Sequence, residues 1–139
     1  MTHADSHTVT AEITRSMHQV LDHLVEFVPG VLGALVSSAD GFALASKLPP
    51  DTEIDTAGLG AMSAAALALS NQLVKTAGDS AATLSHHRSA EGQVLMLPVA
   101  HLAVLTIMAT PGADTEQLCV VGREATVGLQ RLFRGAATV

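Results

Sequence analysis

Apolar residues recur along the first third of the chain in steps of four, three, one, three and four: Ile13, Met17, Val20, Leu21, Leu24 and Val28. That spacing keeps them on one face of a helix, with Thr10 placed to cap its start and Pro29-Gly30 to end it. The pattern then changes. Two apolar runs, 31–37 and 42–47, flank Ser38-Ala39-Asp40-Gly41, and Asp-Gly favours the positive backbone angles of a hairpin turn. A loop with Pro49-Pro50 follows, and Asp55 or Thr56 can cap the next element. That element, GLGAMSAAALALSNQLVKTAG over 58–78, has helix length and a single charge, Lys75.

Three strand-like runs come after Gly78. AATLSHHRS is weakly apolar and suits a sheet edge, whereas QVLMLPV and HLAVLTIMA are as apolar as strands covered on both faces. Pro111-Gly112 breaks the chain. Asp114 with Gln117 resembles a capping box, and Leu118, Val121, Ala125, Leu129 and Leu132 form one stripe of a final helix. The predicted order is α-β-β-α-β-β-β-α, an α/β chain of the α+β kind. It forms one domain over 10–135, with a disordered lead over 1–9 and a tail over 136–139.

At about 100° per residue the middle helix divides into two faces. Leu59, Met62, Ala66, Leu67, Leu69, Leu73 and Val74 fall on one arc, expected to cover the protein's own sheet. Ala61, Ala64, Ala65, Ala68, Asn71, Gln72 and Lys75 lie opposite. Solvent faces of helices normally carry Glu, Lys and Arg, as Arg123, Glu124, Arg131 and Arg134 do on the last helix. The flat alanine face is therefore expected to meet a partner, with Asn71 and Lys75 supplying polar contacts at its rim. A second copy of the chain is the simplest partner, and an unpaired edge strand over 81–88 invites the same association.

Composition narrows the chemistry. Nearly half the residues are apolar, yet there are three Phe, no Tyr and no Trp, so the core is aliphatic and stacking platforms for nucleic acid are missing. A net charge of −6 opposes a phosphate backbone as partner. The lone Cys119 allows no internal disulfide, which fits a cytoplasmic setting. The start MTHADSHTV lacks the form of a signal peptide, and Ser63, Ser70, Asn71, Gln72 and Lys75 interrupt the longest apolar stretch, so no membrane span is expected.

Candidate sites are few. Gly58-Leu59-Gly60-Ala61-Met62-Ser63 begins like a dinucleotide fingerprint, but a polar Pro-containing loop stands where a strand is needed, and Ser63 occupies the Gly/Ala position. No phosphate-binding loop motif ending in Gly-Lys-Ser/Thr occurs. His86 and His87 are neighbours on a strand and point to opposite faces. His18 and His23 are five apart, off the spacing of a helical zinc pair. Asp51, Glu53 and Asp55 suit capping and solubility. Cys119 borders an apolar stripe, and there is no nucleophile elbow. No catalytic residue, metal site or cofactor is expected.

Residues Met17 to Phe133 resemble the roadblock domain, the family of the dynein light chain roadblock. The resemblance rests on VPGVLGALVSSADGFALAS after the first helix, the alanine-rich second helix, GQVLMLPVAHLAVLTIMA and the closing amphipathic helix. It implies a profilin-like fold: a five-stranded antiparallel sheet in the order 2-1-5-4-3, the middle helix on one face and the terminal helices on the other. It also implies dimers in which second helices pack together and third strands pair. Carried onto this chain, that places Ala61, Ala64, Ala65, Ala68 and Gln72 on the helix, and Thr83, Leu84 and Ser85 on the strand, in a dimer interface. Bacterial members act on Ras-like small GTPases or serve as accessory subunits. The resemblance thus implies a cytoplasmic, homodimeric, non-enzymatic regulator of such a GTPase. The alternative is a scaffold subunit of a signalling or motility complex that leaves nucleotide turnover unchanged. Arg15, Arg88, Arg123, Arg131 and Arg134 are dispersed, which favours binding over an inserted catalytic arginine.

Overall fold

The computed structural model describes the backbone of residues 3–78 and 80–138 and the side chains of 11–78 and 80–135. Among the described residues three helices and five strands follow in order: α1 (His3–Phe27), β1 (Val31–Ser38), β2 (Ala43–Lys47), α2 (Thr56–Ala77), β3 (Ser85–Ser89), β4 (Gly92–Val99), β5 (Ala103–Ala109) and α3 (Thr115–Thr138). The strands form one antiparallel sheet in the order β2-β1-β5-β4-β3. α2 packs on one face, touching all five strands; α1 and α3 lie together on the other. Fold class and strand order agree with the expectation from the sequence.

Alternation along the strands builds both layers. Leu95, Leu97 and Val99 of β4, with Leu105 and Ile107 of β5, join Leu21, Leu24, Leu118 and Leu129 in the larger core beneath α1 and α3. The intervening Met96 and Val104 turn the other way and meet Ala64 and Leu67 of α2. Side chains of a strand point alternately to its two faces, so a strand covered on both sides is apolar throughout.

The turns follow the expected chemistry. Gly41 takes φ +98° in the β1–β2 hairpin, while the Ser38 hydroxyl donates to Asp40 Oδ1 (2.6 Å) and accepts from the Phe42 N–H (3.0 Å). Asp114 Oδ1 accepts the N–H groups of Glu116 (3.0 Å) and Gln117 (3.3 Å), capping α3. Asp55 occupies the N-cap position of α2 but makes no side-chain capping bond.

Both terminal helices exceed their expected limits. Of the predicted lead 1–9, Met1 and Thr2 lie outside the described residues, and α1 begins at His3. No Gly or Pro precedes Pro29, so nothing breaks the helix there. α3 likewise continues into the predicted tail as far as Thr138, with Val139 outside the described residues. β3 starts at Ser85, later than the predicted 81, because the Ala82 N–H bonds to Asn71 Oδ1 (2.8 Å) and holds that segment against α2.

Candidate partner-binding surface

α2 is rotated from its expected placement: the alanine face stays mostly exposed, and most of the bulky arc is exposed with it. Gly60, Ser63, Ala64 and Leu67 are its buried residues, whereas Met62, Leu69 and Leu73 are 64%, 70% and 68% exposed. Of the bulky arc expected on the sheet, Leu67 is buried and Leu59 and Ala66 are half-buried, whereas Met62, Leu69, Leu73 and Val74 face outward. Volume explains the rotation. The sheet under α2 already carries Met96 and Val104, so the helix side of the contact must be small. Gly60 shows how close the approach is: a Cβ there would stand 3.2 Å from the Gly41 carbonyl oxygen and 3.4 Å from the Ser37 Cβ. That glycine serves packing at the helix start.

The residues expected at a dimer contact divide accordingly. Ala61, Ala65, Ala68 and Gln72 are exposed beside the Met62–Leu69–Leu73 stripe. Ala64 is 8% exposed and packs against the chain's own sheet, which corrects its assignment to a partner face. Thr83 is exposed, but it and Leu84 precede β3 instead of lying in it; Leu84 packs toward the larger core. Ser85 is buried, its hydroxyl 3.0 Å from Ser70 Oγ and 3.2 Å from His87 Nε2. Lys75 is exposed, while Asn71 is half-buried and used internally by its bond to Ala82.

Those internal bonds give the surface its shape. Ser70–Ser85 and Asn71–Ala82 tie the C-terminal half of α2 to β3, the last strand of the sheet, and to the segment leading into it. One continuous surface results: an apolar helix face beside a strand edge with exposed His87, Arg88 and Ser89. By length and composition alone α2 could cross a membrane. Its polar Ser63, Ser70 and Asn71 are instead turned toward the sheet and β3. Sequence projection missed Met62, Leu69 and Leu73 as surface residues, although their separation from Gly60, Ser63 and Ala64 by small volume was a usable signal.

The remaining candidates are accounted for locally. His86 Nε2 lies 2.9 Å from Gln93 Oε1 while His87 turns to Ser85, so the two imidazoles leave opposite faces of β3. Cys119 is half-buried against the larger core. Among the described residues no group of His, Cys, Asp and Glu converges as a metal site.

An antiparallel sheet in this order, with one helix on one face and two on the other, defines an α+β domain of profilin-like architecture. The Roadblock/LC7 domain family model matches residues 17–109, and the chain belongs to that family. No curated protein matches the chain. Among solved structures it is similar to an MglB with tetrameric arrangement (TM-score 0.81, 19% identity, covering 89% of this chain and 92% of that chain). Similar values hold for Myxococcus xanthus MglB (0.80, 19%, 88% and 91%) and the gliding protein MglB from Thermus thermophilus (0.78, 19%, 86% and 90%). At such identity the likeness establishes the fold.

Proposed function

We propose that the protein is a homodimeric, non-enzymatic regulator or accessory subunit that binds a Ras-like small GTPase in the cytoplasm. The observation carrying this reading is the stripe of Met62, Leu69 and Leu73, each about two-thirds exposed on the side of α2 turned away from the sheet. Contiguous exposed apolar side chains of this size mark interaction sites. Two copies related by a two-fold axis bury the stripe against itself, with Ala61, Ala65 and Ala68 allowing close helix approach and Gln72 at the margin. The β3 edges, adjacent to α2, then pair and join the two sheets. Family membership supports the GTPase as partner, as does the kinship of fold with MglB. Lys75 and the joined surface of two copies offer a contact that one copy lacks.

Two measurements test the reading. Light scattering is expected to give twice the chain mass for the wild type and the single mass for Leu69→Glu. A pull-down and turnover assay uses a Ras-like GTPase from the same genome in both nucleotide states. Binding with altered hydrolysis or exchange supports the regulator; binding with unchanged rates selects a scaffold subunit. Absence of binding in either state overturns the GTPase assignment while leaving the dimer intact.

A further inference from the structure

β3 is five residues long, and three of the five are His86, His87 and Arg88. Its neighbour in the sheet is β4, which leaves the other edge of the strand open. Successive side chains leave opposite faces. His86 and Arg88 point to the side of α1 and α3: His86 Nε2 stands 2.9 Å from Gln93 Oε1, and Arg88 Nη2 lies 3.5 Å from Thr115 Oγ1. His87 points to the side of α2, its Nε2 3.2 Å from the Ser85 hydroxyl. An amide oxygen only accepts, so His86 Nε2 donates to Gln93; a proton added to that ring goes to Nδ1 and keeps the bond.

We propose that β3 makes the homodimer acid-sensitive: protonation of His86 and His87 weakens the pairing of the strand with its copy. The inference rests on the two-fold β3 pairing proposed above and adds its regulation. Symmetry sets the register. A five-residue strand paired antiparallel with itself over its full length is centred on its third residue. His87 then lies opposite the partner's His87, and on each side of the axis His86 lies opposite the partner's Arg88. Directly opposed residues share a face with Cβ atoms about 5 Å apart, and like charges there oppose pairing. With the imidazoles neutral, Arg88 is the one charge on the strand. Histidine gains its charge between about pH 8 and pH 5, and each strand then sets three positive groups against three.

The surrounding groups do not cancel these charges. β4 has no titratable side chain, and the charge on α2 is Lys75, of the same sign. Glu91 of the β3–β4 turn borders the same hollow as His87 and Arg88, and Asp114 and Glu116 flank Thr115. Among the described residues none of these carboxylates forms an ion pair with His86, His87 or Arg88, and that of Asp114 is taken up by the α3 cap. The dimer therefore binds fewer protons than two separate chains, and its stability falls as pH falls through the histidine range. Net charge acts in the opposite sense. Each chain carries −6 with its histidines neutral, so acid lowers the overall repulsion between copies. The direction of the pH effect separates the strand contact from the whole-molecule charge.

Sedimentation equilibrium of the full chain at about pH 7.5 and about pH 6 reads the dimer dissociation constant across the histidine range. The wild-type Kd is expected to be about tenfold higher at the lower pH, with an unchanged circular dichroism spectrum. The His86→Gln/His87→Gln double variant, which takes up no charge, is expected to keep one Kd at both. Arg88→Gln gives His86 a neutral partner and is expected to show a smaller pH effect than the wild type. A single-chain mass at the higher pH overturns the homodimer reading and this inference with it. A doubled mass there, with a Kd unchanged or lower in acid, overturns the acid sensitivity alone. Acid weakening that persists in the double variant, or is undiminished in Arg88→Gln, does the same.

Discussion

Gln93 lies 1% exposed where β4 meets the loop leading to α3. Its amide nitrogen donates to the carbonyls of Thr110 (3.0 Å), Pro111 (3.3 Å) and Ala113 (3.0 Å), and its oxygen accepts from the Thr115 hydroxyl (3.0 Å). His86 Nε2 stands 2.9 Å from the same oxygen. One side chain thus fixes the chain reversal before α3 and links it to the edge strand. Gln93→Leu strands several of these groups, and urea denaturation is expected to show a loss of about 2–3 kcal/mol. Thr106 has the opposite balance. It is fully buried, and its hydroxyl has no hydrogen-bond partner. Thr106→Val removes that unpaired group at nearly constant volume, so stability is expected to rise by up to about 1 kcal/mol in the same assay. Neither role was legible in the sequence, where Gln93 and Thr106 stood as polar interruptions in apolar strands.

The helices differ in how much their own residues settle. α3 carries its signals locally: Asp114 at the cap, one apolar stripe, and charged residues opposite. The structure keeps all three, and Asp114→Ala is expected to cost about 1 kcal/mol in thermal unfolding. α2 lacks such a code, because apolar residues surround it and both arcs satisfied the periodicity. The two sides separate under substitution. Leu69→Glu and Leu73→Glu place a carboxylate on the exposed stripe and are expected to leave a folded monomer, as read by light scattering and circular dichroism. Ala64→Glu drives an unpaired charge against Met96 and Val104, and is expected to destabilise the fold itself by about 3–5 kcal/mol. A folded, monomeric Ala64→Glu chain would contradict the orientation of α2.

Across the whole molecule the two helical layers have different relations to water. α1 and α3 cover their side of the sheet together, whereas α2 covers its side mainly with small residues and exposes Met62, Leu69 and Leu73. Aliphatic strands, turn residues and caps are local properties, and by themselves they determined the element order, the α+β class and the apolar character of the central strands. The strand order was implied only by the family resemblance that the motif after α1 helps to carry. The facing of α2 was decided only by the tertiary structure. Which side of an all-round apolar helix points inward depends on the space above the sheet, and distant segments set that space: Ser37 and Gly41 from the hairpin, Met96 from β4 and Val104 from β5. Close packing selected Gly60, Ser63 and Ala64 for that gap and sent Met62, Leu69 and Leu73 outward.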